Sequence, residues 1–286
     1  MENCYIIDYL TFTYKFSGSS AYTRLNHFVM ESLEEITSGF LDRDKFEYKS
    51  YGRNHFNESM LFGGENHFVI SASDSGKVGH TVMFNFSGQG IREVGTKMVF
   101  DIIRHFSSYD GFNCTRCDLA YDDFNHSIPL VNFVDTFSRF IDGEKLLNTR
   151  FSPDNAGIFH GTYQGASYNN VTFGRRDGSQ YMRLYDKRAE QGSKKLSDSN
   201  DYWYRLELEI RHECAQTAIE LLLANDFDLR PVYCKFLNRM FSVLSRGPNT
   251  ESEKKTFPAS HWLTGGSNLL ALQKKQRLNL NGIPRI

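Results

Sequence analysis

The sequence predicts an α+β fold, a pseudo-duplicated antiparallel sheet with helices packed on one side, followed by a small, mainly helical C-terminal region. Two observations carry this. Apolar and polar residues alternate at period two along many short runs, with longer stripes at three- and four-residue steps between them. The order strand, helix, several strands, helix then occurs a second time.

Cys4 to Tyr14 opens the first unit as a strand in which Tyr5, Ile7, Tyr9 and Thr11 oppose Ile6, Asp8, Leu10 and Phe12. Leu25, Phe28, Val29, Leu33 and Ile36 step at helical spacing. Strand-like runs lie near Phe46–Tyr51, His67–Ser73 and His80–Ser87, and Ile91, Val94, Met98, Ile102, Ile103 and Phe106 form a second helical stripe. The second unit begins with a strand at Thr115–Phe124 and a helix marked by Leu130, Phe133, Val134, Phe137, Phe140 and Ile141. Strands near Gly157–Tyr163, Tyr168–Gly174, Gln180–Lys187 and Tyr204–Arg211 lead to a helix from about Ala215 to Ala224. Each unit places an aspartate early in its first strand, in "IDYLTFT" and in "CDLAYDD".

The main domain is therefore expected at 1–228, in two related halves of about 1–110 and 111–228, with a region of different character at 229–286. There Val232, Phe236, Leu237, Met240, Phe241 and Leu244 read as a helix, and "SRGPNTESEKKTFPAS" reads as a loop by its Gly, Pro and Ser content. The tail carries Lys274, Lys275 and Arg277.

Composition narrows the function classes. With 40% hydrophobic and 23% charged residues the chain has the make-up of an ordinary globular protein. No apolar run reaches the roughly 18–20 residues of a membrane span, and the N-terminus lacks the pattern of a signal peptide, so the expected location is cytoplasmic. The five cysteines are odd in number and scattered, which argues against a disulfide framework. Cys114 and Cys117 form a lone CxxC with no second pair to complete a zinc site. Gly88 and Gly90 lack the third glycine of a dinucleotide loop and read as a turn, and no ATP-binding P-loop motif occurs.

Net charge is only −1, yet charge is unevenly spread. Five Lys or Arg against two Asp fall between Phe173 and Arg188, and seven against two Glu between Arg246 and the end. Locally basic segments on a neutral chain suit gripping of phosphates at chosen places. Candidate phosphate contacts are Arg116, Arg175, Arg176, Arg205, Lys274, Lys275 and Arg277.

Three strands carry an unusual polar face. Tyr181, Arg183, Tyr185 and Lys187 share one side of "YMRLYDK"; Arg116, Asp118, Ala120 and Asp122 share one side of "RCDLAYDD"; Arg205, Glu207, Glu209 and Arg211 share one side of "RLELEIR". As neighbours they would gather carboxylates, guanidinium groups and a tyrosine on one surface. That inventory suits phosphodiester transesterification, with a tyrosine hydroxyl as nucleophile and a divalent cation on the phosphoryl oxygen. Mg2+ or Mn2+ prefers carboxylate oxygens, which Asp118, Asp122 and Glu207 could supply. Arg183 and Lys187 could bind the phosphate and lower the tyrosine's pKa. A solvated salt-bridge lattice on a structural protein has the same residue pattern.

The segment "FGRRDGSQYMRLYDK" resembles the signature of the replication initiation factors of the Rep_trans family, through Phe173, Gly174, Arg176, Arg183, Tyr185, Asp186 and Lys187. "TRCDLAYDDF" is similar to that family's acidic strand, and "YWYRLELEIR" is similar, with a one-residue spacing difference, to its Trp-x-Arg-x-Glu-x-Glu strand. The three stretches occur in the family's order between Thr115 and Arg211. The resemblance implies a rolling-circle replication initiator that nicks and reseals one origin strand through a 5′-phosphotyrosine link, with Tyr185 as nucleophile and Tyr181 as runner-up. It also implies a metal site at Asp118, Asp122 and Glu207, with Glu209 less firmly attached. Origin DNA, the nicked single strand, a host helicase and a DNA polymerase are the implied partners, and a homodimer stays open.

Initiators that bind metal through a His-hydrophobic-His motif are not matched, since none of the nine histidines has another two positions away. His212 beside Glu213 reads as a strand-end pair rather than as a ligand. Two alternatives remain within the resemblance: a conjugative relaxase of an integrative element, and a catalytically silent origin-binding regulator of the same fold.

Overall fold

The computed structural model describes residues 2–52, 55–64, 66–163, 166–191, 202–246 and 254–264. Lys274, Lys275 and Arg277 lie outside them.

The first unit runs β1 (Cys4–Lys15), α1 (Ala21–Thr23), a π-helical stretch Arg24–Val29, α2 (Met30–Ile36), β2 (Glu47–Lys49), β3 (Glu58–Phe62), β4 (Phe68–Ser75), β5 (Gly79–Ser87), α3 (Gly88–Val94) and α4 (Thr96–Phe106). The second runs β6 (Asn113–Asp123), α5 (Leu130–Ile141), β7 (Leu147–Thr149), β8 (Ala156–Tyr163), β9 (Ala166–Gly174), β10 (Gln180–Asp186), α6 (Lys187–Gln191), β11 (Tyr204–Arg211) and α7 (Glu213–Ala224). α8 (Leu229–Met240), β12 (Phe241–Arg246), β13 (Lys254–Pro258) and a 3-10 turn at Ala259–Thr264 follow.

Ten strands form one antiparallel sheet in the order β2-β3-β4-β5-β1-β6-β11-β10-β9-β8. The seam is β1 against β6. Outward from it the first half reads β1, β5, β4, β3, β2 and the second reads β6, β11, β10, β9, β8, so each half places its first strand beside its last. One sheet face is apolar. Leu10, Phe12 and Tyr14 of β1, Phe84 and Phe86 of β5, and Leu206, Leu208 and Ile210 of β11 are almost wholly buried on it. α5, α7 and α8 pack against this sheet in the second half, and Tyr233 of α8 donates its hydroxyl to the Leu206 carbonyl at 2.9 Å.

Several expectations are corrected. A β-bulge interrupts β1, because Ile7 pairs with Leu119 while Tyr9 pairs with Asp118. The extra residue, Asp8, breaks the strict alternation and lets Ile7 share the core with Leu10 and Phe12. Gly88 and Gly90 open helix α3, with Ser87 as its N-cap, rather than forming a turn. The stripe from Ile91 to Phe106 is two helices, parted at Gly95. Phe241 and Leu244 belong to strand β12, and part of the expected loop is β13; together with β7 they make a small three-stranded sheet. The described part of the C-terminal region thus mixes helix and strand.

Candidate active site

β6, β11 and β10 are neighbours, so the three polar faces join. The register sets Asp122, Arg205 and Tyr185 in one row across the strands, Ala120, Glu207 and Arg183 in the next, and Asp118, Glu209 and Tyr181 in a third. Asp118, Asp122, Glu207 and Glu209 are 1–4% exposed. Carboxylates so buried need partners, and arginines supply them.

Tyr185 lies at the centre. Its hydroxyl donates to Glu207 Oε2 at 2.9 Å, and Arg183 Nη2 holds the other Glu207 oxygen at 2.7 Å. Burial, followed by the nearby Glu207 carboxylate, pushes the Tyr185 hydroxyl well above the usual phenol range, while Arg205 pulls the other way. The expectation that Arg183 and Lys187 lower this pKa is therefore overturned, because Arg183 spends its charge on Glu207. Lys187 is also not on the strand. Asp186 caps a short helix by accepting from the Ala189 N–H at 2.8 Å, which starts α6 at Lys187. The lysine still reaches the phenol oxygen, Nζ to Oη at 3.4 Å, and pairs with Glu190.

Asp118 accepts Arg116 Nε at 3.0 Å and Nη2 at 2.5 Å. Burial, opposed by Arg116 and reinforced by Glu207 and Glu209, pushes its carboxyl up to about 7. Glu209 accepts from Arg211 at 2.8 Å and lies 3.4 Å from Arg116. Asp122 stands apart from these acids, since Arg205 takes both its oxygens at 2.7 and 2.8 Å. Among the described residues no group of three His, Cys, Asp or Glu side chains is arranged to hold a metal ion. The donor chemistry of Asp118, Glu207 and Glu209, all oxygen and buried, nevertheless suits a hard divalent cation. Asp122 and Asp118 are each paired with an arginine through Nε and Nη2, so a cation would have to displace Arg205 or Arg116 to reach them.

The phosphate-contact candidates separate. Arg175 and Arg176 are exposed in the turn between β9 and β10. There Arg175 pairs with Asp177, and Arg176 lies 5.9 Å from the Tyr181 ring. Arg116 is partly exposed and stacks over Tyr9 at 4.3 Å. Arg205 is 2% exposed and is a structural cation, not a DNA contact. Arg183 Nε and Arg211 Nε are buried without a hydrogen-bond partner. Cys114 and Cys117 are wholly buried, and burial pushes the Cys114 thiol up to about 12. Glu190 escaped sequence reasoning, and Asp8 is legible there only as an early-strand aspartate and not as part of the site. Glu190 lies at i+3 from Lys187, a signal legible only once a helix starts there.

The 286-residue chain is 29% identical over 200 residues to a protein of Bacillus subtilis (strain 168) that carries the name DNA relaxase NicK. The match covers 64% of this chain and 51% of that one, so the chain spans about half the length of this curated relative. A solved rolling circle replication initiator protein from Geobacillus stearothermophilus shares the fold, with a TM-score of 0.70 at 19% identity over 96% of this chain and 97% of that one. The sequence model of the family described as replication initiation factor matches residues 112–279, more than half of the chain and the whole of the β6, β10 and β11 site. The chain belongs to the replication initiation factor family.

Proposed function

We propose that this protein starts rolling-circle replication by nicking one strand of its origin DNA, and later rejoins it, through transesterification at Tyr185. The observation that carries the reading is the Tyr185 hydroxyl donating to Glu207 on a face lined with acids and arginines. In the forward step the Tyr185 oxygen attacks the scissile phosphorus and its proton passes to Glu207. The bond from phosphorus to the 3′-oxygen breaks, leaving a free 3′-hydroxyl after protonation and a 5′-phosphate on the tyrosine. Because one phosphodiester replaces another, the 3′-hydroxyl of a strand end can reverse the step and reseal DNA. Arg183, whose Nε makes no hydrogen bond and lies 3.7 Å from Glu209 Oε1, would turn this donor to a phosphate oxygen.

A divalent cation, Mg2+ or Mn2+, would be held by Asp118 and Glu207 with Glu209 in support, and would polarise the phosphoryl oxygen. Arg175 and Arg176, at the exposed turn beside Tyr181, would meet backbone phosphates. Unwinding would come from a separate helicase, and the 3′ end would pass to a DNA polymerase. The same chemistry would serve conjugative transfer by a relaxase, and the Bacillus subtilis relative carries the name of a DNA relaxase. The two halves of about 1–110 and 111–228 would act as one catalytic domain.

The test is cleavage of a supercoiled plasmid carrying the protein's own origin, with Mg2+ or Mn2+ present. Wild type and Tyr181→Phe are expected to nick and to become covalently attached to DNA, whereas Tyr185→Phe is expected to do neither. Tight origin binding without nicking under any metal would leave only the silent-regulator reading.

A further inference from the structure

We infer that Asp8, in the first strand of the chain, is a positioning residue for this reaction, acting by holding Arg205 away from the Tyr185–Glu207 pair. The inference rests on the proposed nicking chemistry and deepens it, because Asp8 lies outside residues 112–279 and in the other half of the sheet.

Arg205 is the pivot. It stands directly across from Tyr185 in the β10–β11 register and two residues from Glu207 on the same strand face. Its guanidinium is divided between two carboxylates, Nε and Nη2 on Asp122 of β6 and Nη1 on Asp8 of β1 at 2.5 Å. For a guanidinium freed from Asp8, the next carboxylate along its own strand face is Glu207, two residues away. Arg183 already holds Glu207 Oε1, so the oxygen open to competition is Oε2, which accepts the Tyr185 hydroxyl, and a charge-assisted bond outcompetes a phenol's. Asp8 anchors the arginine on the side away from the tyrosine.

Two further features place that one carboxylate. The bulge between Ile7 and Tyr9 makes Asp8 the extra residue of β1 against β6. Helix α3 then starts directly over it: a Cβ on Gly88 would sit 2.6 Å from Asp8 Oδ1 and 2.9 Å from the Asp8 carbonyl oxygen. Only glycine lets the helix begin there without displacing Asp8. The first half of the chain thereby reaches the reacting groups of the second.

The test measures nicking kinetics of the full-length protein on an origin oligonucleotide with Mn2+, alongside wild type and Tyr185→Phe. Asp8→Asn keeps the shape and removes the charge; it is expected to lower kcat by about ten- to a hundredfold while KM for DNA stays within about twofold of wild type. Gly88→Ala, which displaces Asp8 without altering it, is expected to give the same split and carries the test if Asp8→Asn folds poorly. In an Arg205→Met background Asp8→Asn is expected to add no further loss, since Asp8 acts through the arginine. An unchanged kcat in Asp8→Asn with Tyr185→Phe inactive would overturn the inference and leave the reaction standing. A raised KM at constant kcat would make Asp8 a DNA contact, and independent losses from Asp8 and Arg205 would also overturn it. Nicking by Tyr185→Phe at the wild-type rate would instead remove the reading on which the inference rests.

Discussion

Tyr185 donates to one oxygen of Glu207 and Arg183 holds the other, so in the proposed reaction the carboxylate would accept the proton. Glu207→Gln keeps the shape but cannot take the proton. Its initial nicking rate is expected to fall by about 10²-fold or more, with origin binding retained in a gel-shift measurement. Asp118 gives a pH signature. Its carboxyl is raised from 3.8 to about 7 in the folded protein. Through that window the native state keeps a proton that the unfolded chain has lost, so stability falls as pH rises toward 7. Asp118→Asn stays neutral, and its melting temperature is expected to gain on wild type between pH 5 and pH 8 by on the order of 5 °C, even as metal-dependent nicking is lost. A melting difference that does not change with pH would contradict the buried-acid account. At this scale the sequence displays residue types and faces well, because strand alternation alone puts Asp118, Glu207 and Tyr185 on polar sides. It hides the pairings: that Arg205 binds Asp122 and Asp8, and that Arg183 serves Glu207, depends on which strands meet.

The hairpin of β9 and β10 delivers both candidate tyrosines, and Gly174 makes it possible. Its φ is +93°, and a Cβ there would lie 2.7 Å from the Gln180 backbone oxygen. Gly174→Ala is expected to cost about 2 kcal/mol or more, read as a lowered melting temperature by calorimetry. Long elements such as α5 and β11 are legible because many residues repeat one period. Short elements are not. β7 has three residues, too few to show any period. In β12, Phe241 and Val243 are buried at strand spacing, yet Phe241 and Leu244 also continue the helical steps of Phe236, Leu237 and Met240. The pairing of β12 with β7 and β13 decides the matter, and that information is tertiary.

Across the whole molecule, the repeated order of elements was visible in the chain, but the mirrored strand order around the β1–β6 seam was not, since periodicity says nothing about which strands pair. The mirrored order supports a reading of the main domain as two related halves. It also leads to the expectation that the halves depend on each other. A chain of residues 111–286 would expose β6 along the edge that β1 covers and would lose Asp8 from Arg205. That fragment is expected to show no cooperative melting transition by calorimetry and to aggregate through the bare edge. A sharp transition near that of the intact protein would show the second half to be self-sufficient.

The most direct test of the central claim is to trap the covalent complex on origin DNA, digest it with trypsin and nuclease, and locate the nucleotide by mass spectrometry. Cleavage after Arg176, Arg183 and Lys187 separates the two tyrosines, one peptide running from Asp177 to Arg183 and the next from Leu184 to Lys187. The account predicts the 5′-phosphate on Tyr185 in the Leu184–Lys187 peptide. A nucleotide on Tyr181, or on neither peptide, would contradict it.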